Sequence, residues 1–228
     1  MGDRTISFIK KGMWLFWMYI LYQLISIPMI LPASKKLRRE LTINLELFKI
    51  ICLIIGVVAS LLLIRYIWKQ YEGDFKPKVT FLKQWTLKQR ILIYAILLVA
   101  MVGFGYLATF GPSSDNQDNL GVIFDRNRWS MIVSTVVLGP IIEELIFRGM
   151  LQKLFFKKIT NKWQFTLYVI VSTGLFVWIH GPALNLEMFP YIVMGLVFSL
   201  AYLLLGDIKY DISLHMINNI IAVLSMLF

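Results

Sequence analysis

The chain has one cysteine, Cys52, and two histidines in 228 residues. A single cysteine excludes an internal disulfide and a cysteine metal cluster. Inside an apolar block, Cys52 reads as a small buried hydrophobe. Acidic residues are also scarce: 13 Asp and Glu stand against 23 Lys and Arg, for a net charge of +10. The excess does not point to nucleic acid, because no basic stripe with interleaved aromatics lies outside the apolar blocks. The basic residues sit instead in short connections, as in Lys35, Lys36, Arg38 and Arg39, which is the pattern of membrane topology signals. Lys10 and Lys11 precede an apolar run as in a signal peptide. No small-x-small cleavage site follows, and the run is long enough to span, so it is expected to be a retained first helix. Gly2 follows Met1, but Ile6 occupies a position where the myristoylation pattern needs Ser or Thr. There is no internal repeat and no low-complexity tract.

What is present is hydrophobicity. Apolar residues make up 58% of the chain, above the roughly 45–50% of a soluble domain. They are gathered in blocks close to the roughly 20 residues that a helix needs to cross a bilayer core. Seven blocks can be drawn, at about 13–31, 45–68, 91–110, 129–158, 163–180, 188–205 and 211–228. The expected fold is an all-α polytopic membrane helix bundle of about seven transmembrane helices. Residues 1–128 would hold three helices and their loops, and 129–228 a core of helices four to seven. The tail "LQKLFFKK" of the fourth block reads as a helix emerging into the interface with its lysines snorkelling. The third connection, "GPSSDNQDNLGVIFDRNR", has three aspartates and many turn residues, and predicts a surface loop on the outer face. Arg4, Lys10 and Lys11, the basic residues from Lys69 to Arg90, those from Lys153 to Lys162, and Lys209 outweigh the basic residues of the other connections. That bias favours a cytoplasmic N-terminus and an external C-terminus.

Ionisable residues at membrane depth cost several kcal/mol unless paired or facing water, so each is a functional candidate. Three groups stand out. In "EELIFR", Glu144 and Arg148 are four residues apart, in the favourable order for an ion pair on one helix face. Glu143 is turned by about 100° from Glu144. One carboxylate is thereby supported and the other is free, although an inter-helix salt-bridge network would use the same three residues. In "FVWIH", Phe176 and His180 share a face; in "HMINN", His215 and Asn219 do. A lone histidine in an apolar helix is more often a core residue bonded to a carbonyl. Here both histidines of the chain fall in late apolar helices, which raises the functional reading. Counting from the turn near Thr160, Glu143 and His180 would differ in depth by only about 5 Å. Gly139 and Pro140, just before the glutamates, predict a loosened helix that water can enter.

The chemistry follows from the groups. A carboxylate shielded from bulk water is a general base towards water. A neighbouring histidine can hold that water, and a second histidine with an amide can donate to an oxyanion. Two histidines and a glutamate are also a zinc set with an open position for water. Both versions are equipment for peptide-bond hydrolysis, and the residues alone do not separate them. No HExxH, GxGD or GxSG-like motif offers a different protease chemistry.

The three motifs EExxxR, FxxxH and HxxxN, in this order, resemble the CPBP family of intramembrane proteases. That family includes the CAAX prenyl endoproteases and the bacteriocin-processing and self-immunity proteins. The resemblance covers about 129–226 and implies a role for each matching residue. Glu143 would be the general base and His180 would help activate the water. His215 and Asn219 would form the oxyanion site, and Glu144 with Arg148 would support the base helix. The family's metalloprotease label implies zinc at Glu143, His180 and His215; otherwise no cofactor is called for. The segment between the histidines departs from the pattern, with a loose fit at Gly195 and Gly206 and "LGDI" for the usual Thr-Gly turn. The expected substrate is a peptide precursor or membrane-associated protein, with the lipid bilayer as the other partner and no nucleic acid. The expected location is a bacterial cell membrane, crossed several times. A non-catalytic scaffold or self-immunity protein of the same fold is one rival. A proton-coupled transporter is the other, weakened by the absence of a repeated hydropathy pattern.

Overall fold

The computed structural model describes residues 2–40, 42–108, 110, 115–181 and 186–226. The long elements among them are helices: α1 (Gly2–Ile30), α2 (Lys35–Glu40), α3 (Leu45–Gln70), α4 (Leu87–Ala108), α5 (Asp115–Ile132), α6 (Gly139–Glu144), α7 (Leu151–Phe155), α8 (Lys162–His180), α9 (Phe189–Leu205) and α10 (Ile208–Ser225). Two π-helical turns, Val133–Leu138 and Leu145–Met150, splice α5, α6 and α7 into one rod. Among the described residues, six helical segments are long and apolar enough to cross a membrane: Thr5–Ala33, Leu45–Gln70, Leu87–Leu107, Asp118–Phe155, Lys162–His180 and Leu186–Leu205. The fold is an all-α polytopic helix bundle. The seventh expected span is α10, which is helical over 18 residues. It falls short of the other six in apolarity because Lys209, Asp211, His215, Asn218 and Asn219 share it. Of these, Asp211 and His215 are buried inside the bundle. Residue 109 of the third block and 227–228 of the seventh lie outside the described residues.

The third connection corrects the sequence expectation. Residues 115–128 are not a surface loop but the start of α5; 111–114 lie outside the described residues. Turn-rich composition is overridden here by tertiary anchors. Phe124 and Met131 are buried with Val136 and Val223. Arg126 Nη1 donates to the Ala33 carbonyl at 2.9 Å, and Arg38 Nη2 donates to the Arg126 carbonyl at 2.9 Å. Asn127 leaves helical geometry (φ −147°, ψ 58°), which kinks α5, and its Nδ2 donates to the Met29 carbonyl at 2.9 Å.

Close helix packing uses small residues, as is usual in membranes. A Cβ on Gly56 of α3 would fall 2.4 Å from Met29 Cγ of α1, and one on Gly195 of α9 would fall 3.0 Å from Thr173 Cγ2 of α8. The α3–α4 connection folds under the rod. Its Phe75 is buried against Gly149, where a Cβ would come within 2.4 Å of the ring. The same connection pairs with the one after α7: Thr80 N donates to Ile159 O and Ile159 N to Lys78 O, each at 2.9 Å. Lys153 Nζ pairs with Asp74 beside them. Outward-facing surfaces of α1, α3 and α4 carry Phe8, Leu62 and Val99 exposed, as suits a helix solvated by lipid.

Candidate active site

Glu143 and Glu144 occupy the last turn of α6, between the two π-helical turns. The segment around Gly139 and Pro140 is therefore not a regular helix. A π turn pairs each N–H with the carbonyl five residues back, and the Gly139 N–H does bond Ser134 O. Residue 140 would serve the Thr135 carbonyl next, but proline has no N–H. Asn219 Nδ2 of α10 supplies the donor instead, 2.8 Å from Thr135 O. The second π turn has carbonyls bonded from α8. Ser172 Oγ donates to Phe147 O at 3.0 Å and Tyr168 OH to Arg148 O at 3.1 Å.

The two glutamates separate as their angular offset requires. Glu144 is fully buried and faces Arg148, also fully buried. Arg148 Nε lies 3.0 Å from Glu144 Oε2, and Nη1 donates to Oε1 at 3.2 Å. Arg148 Nη2 reaches the Gly195 carbonyl of α9 at 3.4 Å. The guanidinium lies 4.7 Å from the Phe176 ring centroid and 5.6 Å from that of Phe198. Phe176 of FxxxH thus backs the ion pair as well as His180, whose ring is 4.3 Å away.

Glu143 points the other way. Its Oε1 accepts from Tyr22 OH of α1 at 2.9 Å. Its Oε2 is buried with no hydrogen-bond donor from the protein. That oxygen lies 3.8 Å from His180 Nε2 and 3.9 Å from His215 Nε2. Both rings are oriented from behind. His180 Nδ1 is 2.8 Å from the Phe176 carbonyl, which can only accept, so Nδ1 carries the proton. His215 Nδ1 is 2.8 Å from Glu144 Oε1, a carboxylate held by Arg148, so it too is the donor. In the neutral rings both Nε2 atoms therefore present lone pairs towards Glu143 Oε2. Ring stacking fixes the planes: Tyr191 on His180 with centroids 5.1 Å apart, and Phe198 on His215 at 4.7 Å.

The structure thus brings Glu143, His180 and His215 together at one point, and sets Glu144 and Arg148 behind them. Asn219 is bonded to none of these, its amide being engaged with Thr135 O and its carbonyl oxygen accepting from Asn218 Nδ2 at 3.1 Å. The lone pairs are of a kind that zinc accepts, but the spacing does not fit the ion. Zinc bonds of about 2.0–2.1 Å put the donors of a tetrahedral set about 3.4 Å apart, closer than 3.8 and 3.9 Å. Among the described residues, no group of three His, Cys, Asp or Glu could hold a metal ion. A water with hydrogen bonds of about 2.8 Å does bridge such a gap.

Two residues escaped the sequence reading. Tyr22 carries no signal, since a tyrosine in an apolar helix is ordinary. Asp211 carried one: it stands four residues before His215, on the same face of α10. It is fully buried and interacts with Glu144 and Arg148.

Helices of this length, with two acids and two histidines converging between them, define a polytopic membrane helix bundle with an ionisable site inside it. Residues 125–221 match the family described as type II CAAX prenyl endopeptidase Rce1-like. That segment holds all three motifs, so the likeness to this family covers the part of the chain that carries the site. The UPF0177 protein YbdJ of Lactococcus lactis subsp. lactis (strain IL1403) is 37% identical over 93 residues. The match spans 41% of this chain and 38% of that relative, well under half of its length. No solved structure matches the chain.

Proposed function

We propose that the protein is an intramembrane endopeptidase that hydrolyses a peptide bond with a water activated by Glu143. The observation that carries this reading is the buried, donor-free Glu143 Oε2 facing two histidine Nε2 atoms. Three acceptors around one point call for a molecule that donates, and water is the donor hydrolysis needs. In the cycle, the water gives one hydrogen bond to Glu143 Oε2 and one to His180 Nε2, which leaves an oxygen lone pair for the scissile carbonyl. Glu143 takes the proton as the C–O bond forms. A His215 that enters the cycle with a proton taken from solvent at Nε2 donates to the oxyanion, with Glu144 as its counter-charge, and keeps that proton at collapse. The Asn219 amide hydrogen not bonded to Thr135 is the second donor. Collapse breaks the C–N bond and Glu143 passes its proton to the departing amine.

The substrate class is a peptide precursor or a membrane-associated protein segment, since the site lies among membrane-spanning helices. The setting is a bacterial cell membrane with the N-terminus in the cytoplasm, as the charge bias favours. The test uses purified protein in liposomes with a proteome-derived peptide library, and reads cleavage by mass spectrometry. Glu143→Gln keeps the shape of the site and is expected to abolish cleavage without lowering the melting temperature. Cleavage at the parent rate by Glu143→Gln overturns the mechanism. A parent protein that cleaves nothing in the library or in co-expressed membrane proteins favours the scaffold or self-immunity reading.

A further inference from the structure

The segment that matches the family begins at residue 125, yet the candidate base is held by a side chain from α1, far upstream. We propose that Tyr22 is a positioning residue for Glu143, so that the working site includes the first helix. This rests on the reading of Glu143 as the base.

A glutamate's terminal torsion is broad, and a free carboxylate presents either oxygen to a substrate. The Tyr22 hydroxyl removes that freedom. It donates to Oε1 at 2.9 Å and leaves Oε2 towards both histidines. The contact is built into the packing from both sides. Tyr22 sits on a helix turn where Ser26 Oγ donates back to the Tyr22 carbonyl at 2.8 Å. Across from it stands Gly139, where a Cβ would come within 3.2 Å of the Tyr22 hydroxyl and 2.8 Å of Ser134 O. Glycine at 139 gives the phenol a path to the carboxylate. The hydroxyl cannot take the proton from water, because it is already the donor to the other oxygen. Its part is to set which lone pair faces the water and to hold it there through the cycle.

The experiment compares the parent, Tyr22→Phe, Glu143→Gln and the double variant in liposomes, using one peptide the parent cleaves. Tyr22→Phe deletes one oxygen. It is expected to lower kcat about ten- to a hundredfold, the scale of a misplaced reacting group, with KM within about twofold. Glu143→Gln is expected to lose cleavage, and the double variant to be no worse. Parental kcat in Tyr22→Phe beside an inactive Glu143→Gln overturns the role of Tyr22 and spares the base. Parental kcat in Glu143→Gln overturns both. If Tyr22→Phe fails to fold, 3-fluorotyrosine at position 22 keeps the shape and alters only the donor strength of the hydroxyl. A changed kcat at unchanged KM then supports the role, and a parental kcat overturns it.

Discussion

Arg148 is a full charge with no solvent contact, and its surroundings account for its donors: Glu144, the Gly195 carbonyl and two aromatic faces. Removing one partner of a buried pair leaves the other charged and unpaired, at a cost of about 3–5 kcal/mol. Glu144→Ala and Arg148→Ala are both expected to lower thermal stability in detergent by an amount of that order, and cleavage falls with the folded fraction. Glu143→Ala is expected to change stability far less, because Oε2 has no donor to lose and Oε1 loses only the Tyr22 hydroxyl. Equal melting temperatures for Glu143→Ala and Glu144→Ala would refute this division of labour. The spacing at Glu143 sets a second test. Because 3.8 and 3.9 Å suit a bridging water better than a zinc ion, cleavage is expected to persist in strong chelator. Loss of cleavage on chelation, restored by added zinc, would overturn the water-only mechanism.

The π-helical turns connect the local sequence to the packing of whole helices. Each widened turn offers carbonyls to neighbours, and polar side chains of α8 and α10 answer: Ser172, Tyr168 and Asn219. Asn219→Ala would leave the Thr135 carbonyl without its donor, which costs about 1–3 kcal/mol where the group is buried. Adding Pro140→Ala restores an N–H at position 140 and is expected to recover part of that loss. A melting temperature of the double variant no higher than that of Asn219→Ala would show that Pro140 does not create the need. At this scale the sequence was legible in part. The i, i+4 rule found the Glu144–Arg148 pair and the faces of His180 and His215, since those depend on one helix at a time. It could not show that Asn219 is claimed by Thr135 O, because that bond exists only across two helices. Nor could apolar windows find α5, whose Asp-, Asn- and Arg-rich sequence is held helical by Phe124, Arg126 and Asn127 reaching other elements.

Across the whole molecule, hydropathy marked the spans because lipid leaves the backbone no other partner than its own helix. The signal is weakest at α10, the seventh block, because the polar residues that make the site dilute it. Contacts between connections add what hydropathy lacks. The α3–α4 connection and the α7–α8 connection pair through Lys78, Thr80 and Ile159, with Asp74 bonded to Lys153. Those two connections therefore lie on one face, which makes α4 and the rod α5–α7 successive opposite crossings. Both connections are rich in lysine, so the positive-inside rule predicts that face to be the cytoplasmic one. The connection at α2 carries Lys35, Lys36, Arg38 and Arg39 and would by charge alone claim the same face. It cannot share it, because α1 and α3 each cross fully on either side of it. Arg38 also spends two donors on the carbonyls of Pro32 and Arg126, so it is a structural tether more than a topology signal. Exposed cysteines placed in a Cys52→Ser background decide the matter. Thr160→Cys is expected to react with a membrane-impermeant maleimide only after permeabilisation of the cells, and Glu40→Cys to react in intact cells. The opposite pattern would invert the molecule in the membrane and bring any substrate to the site from the other side.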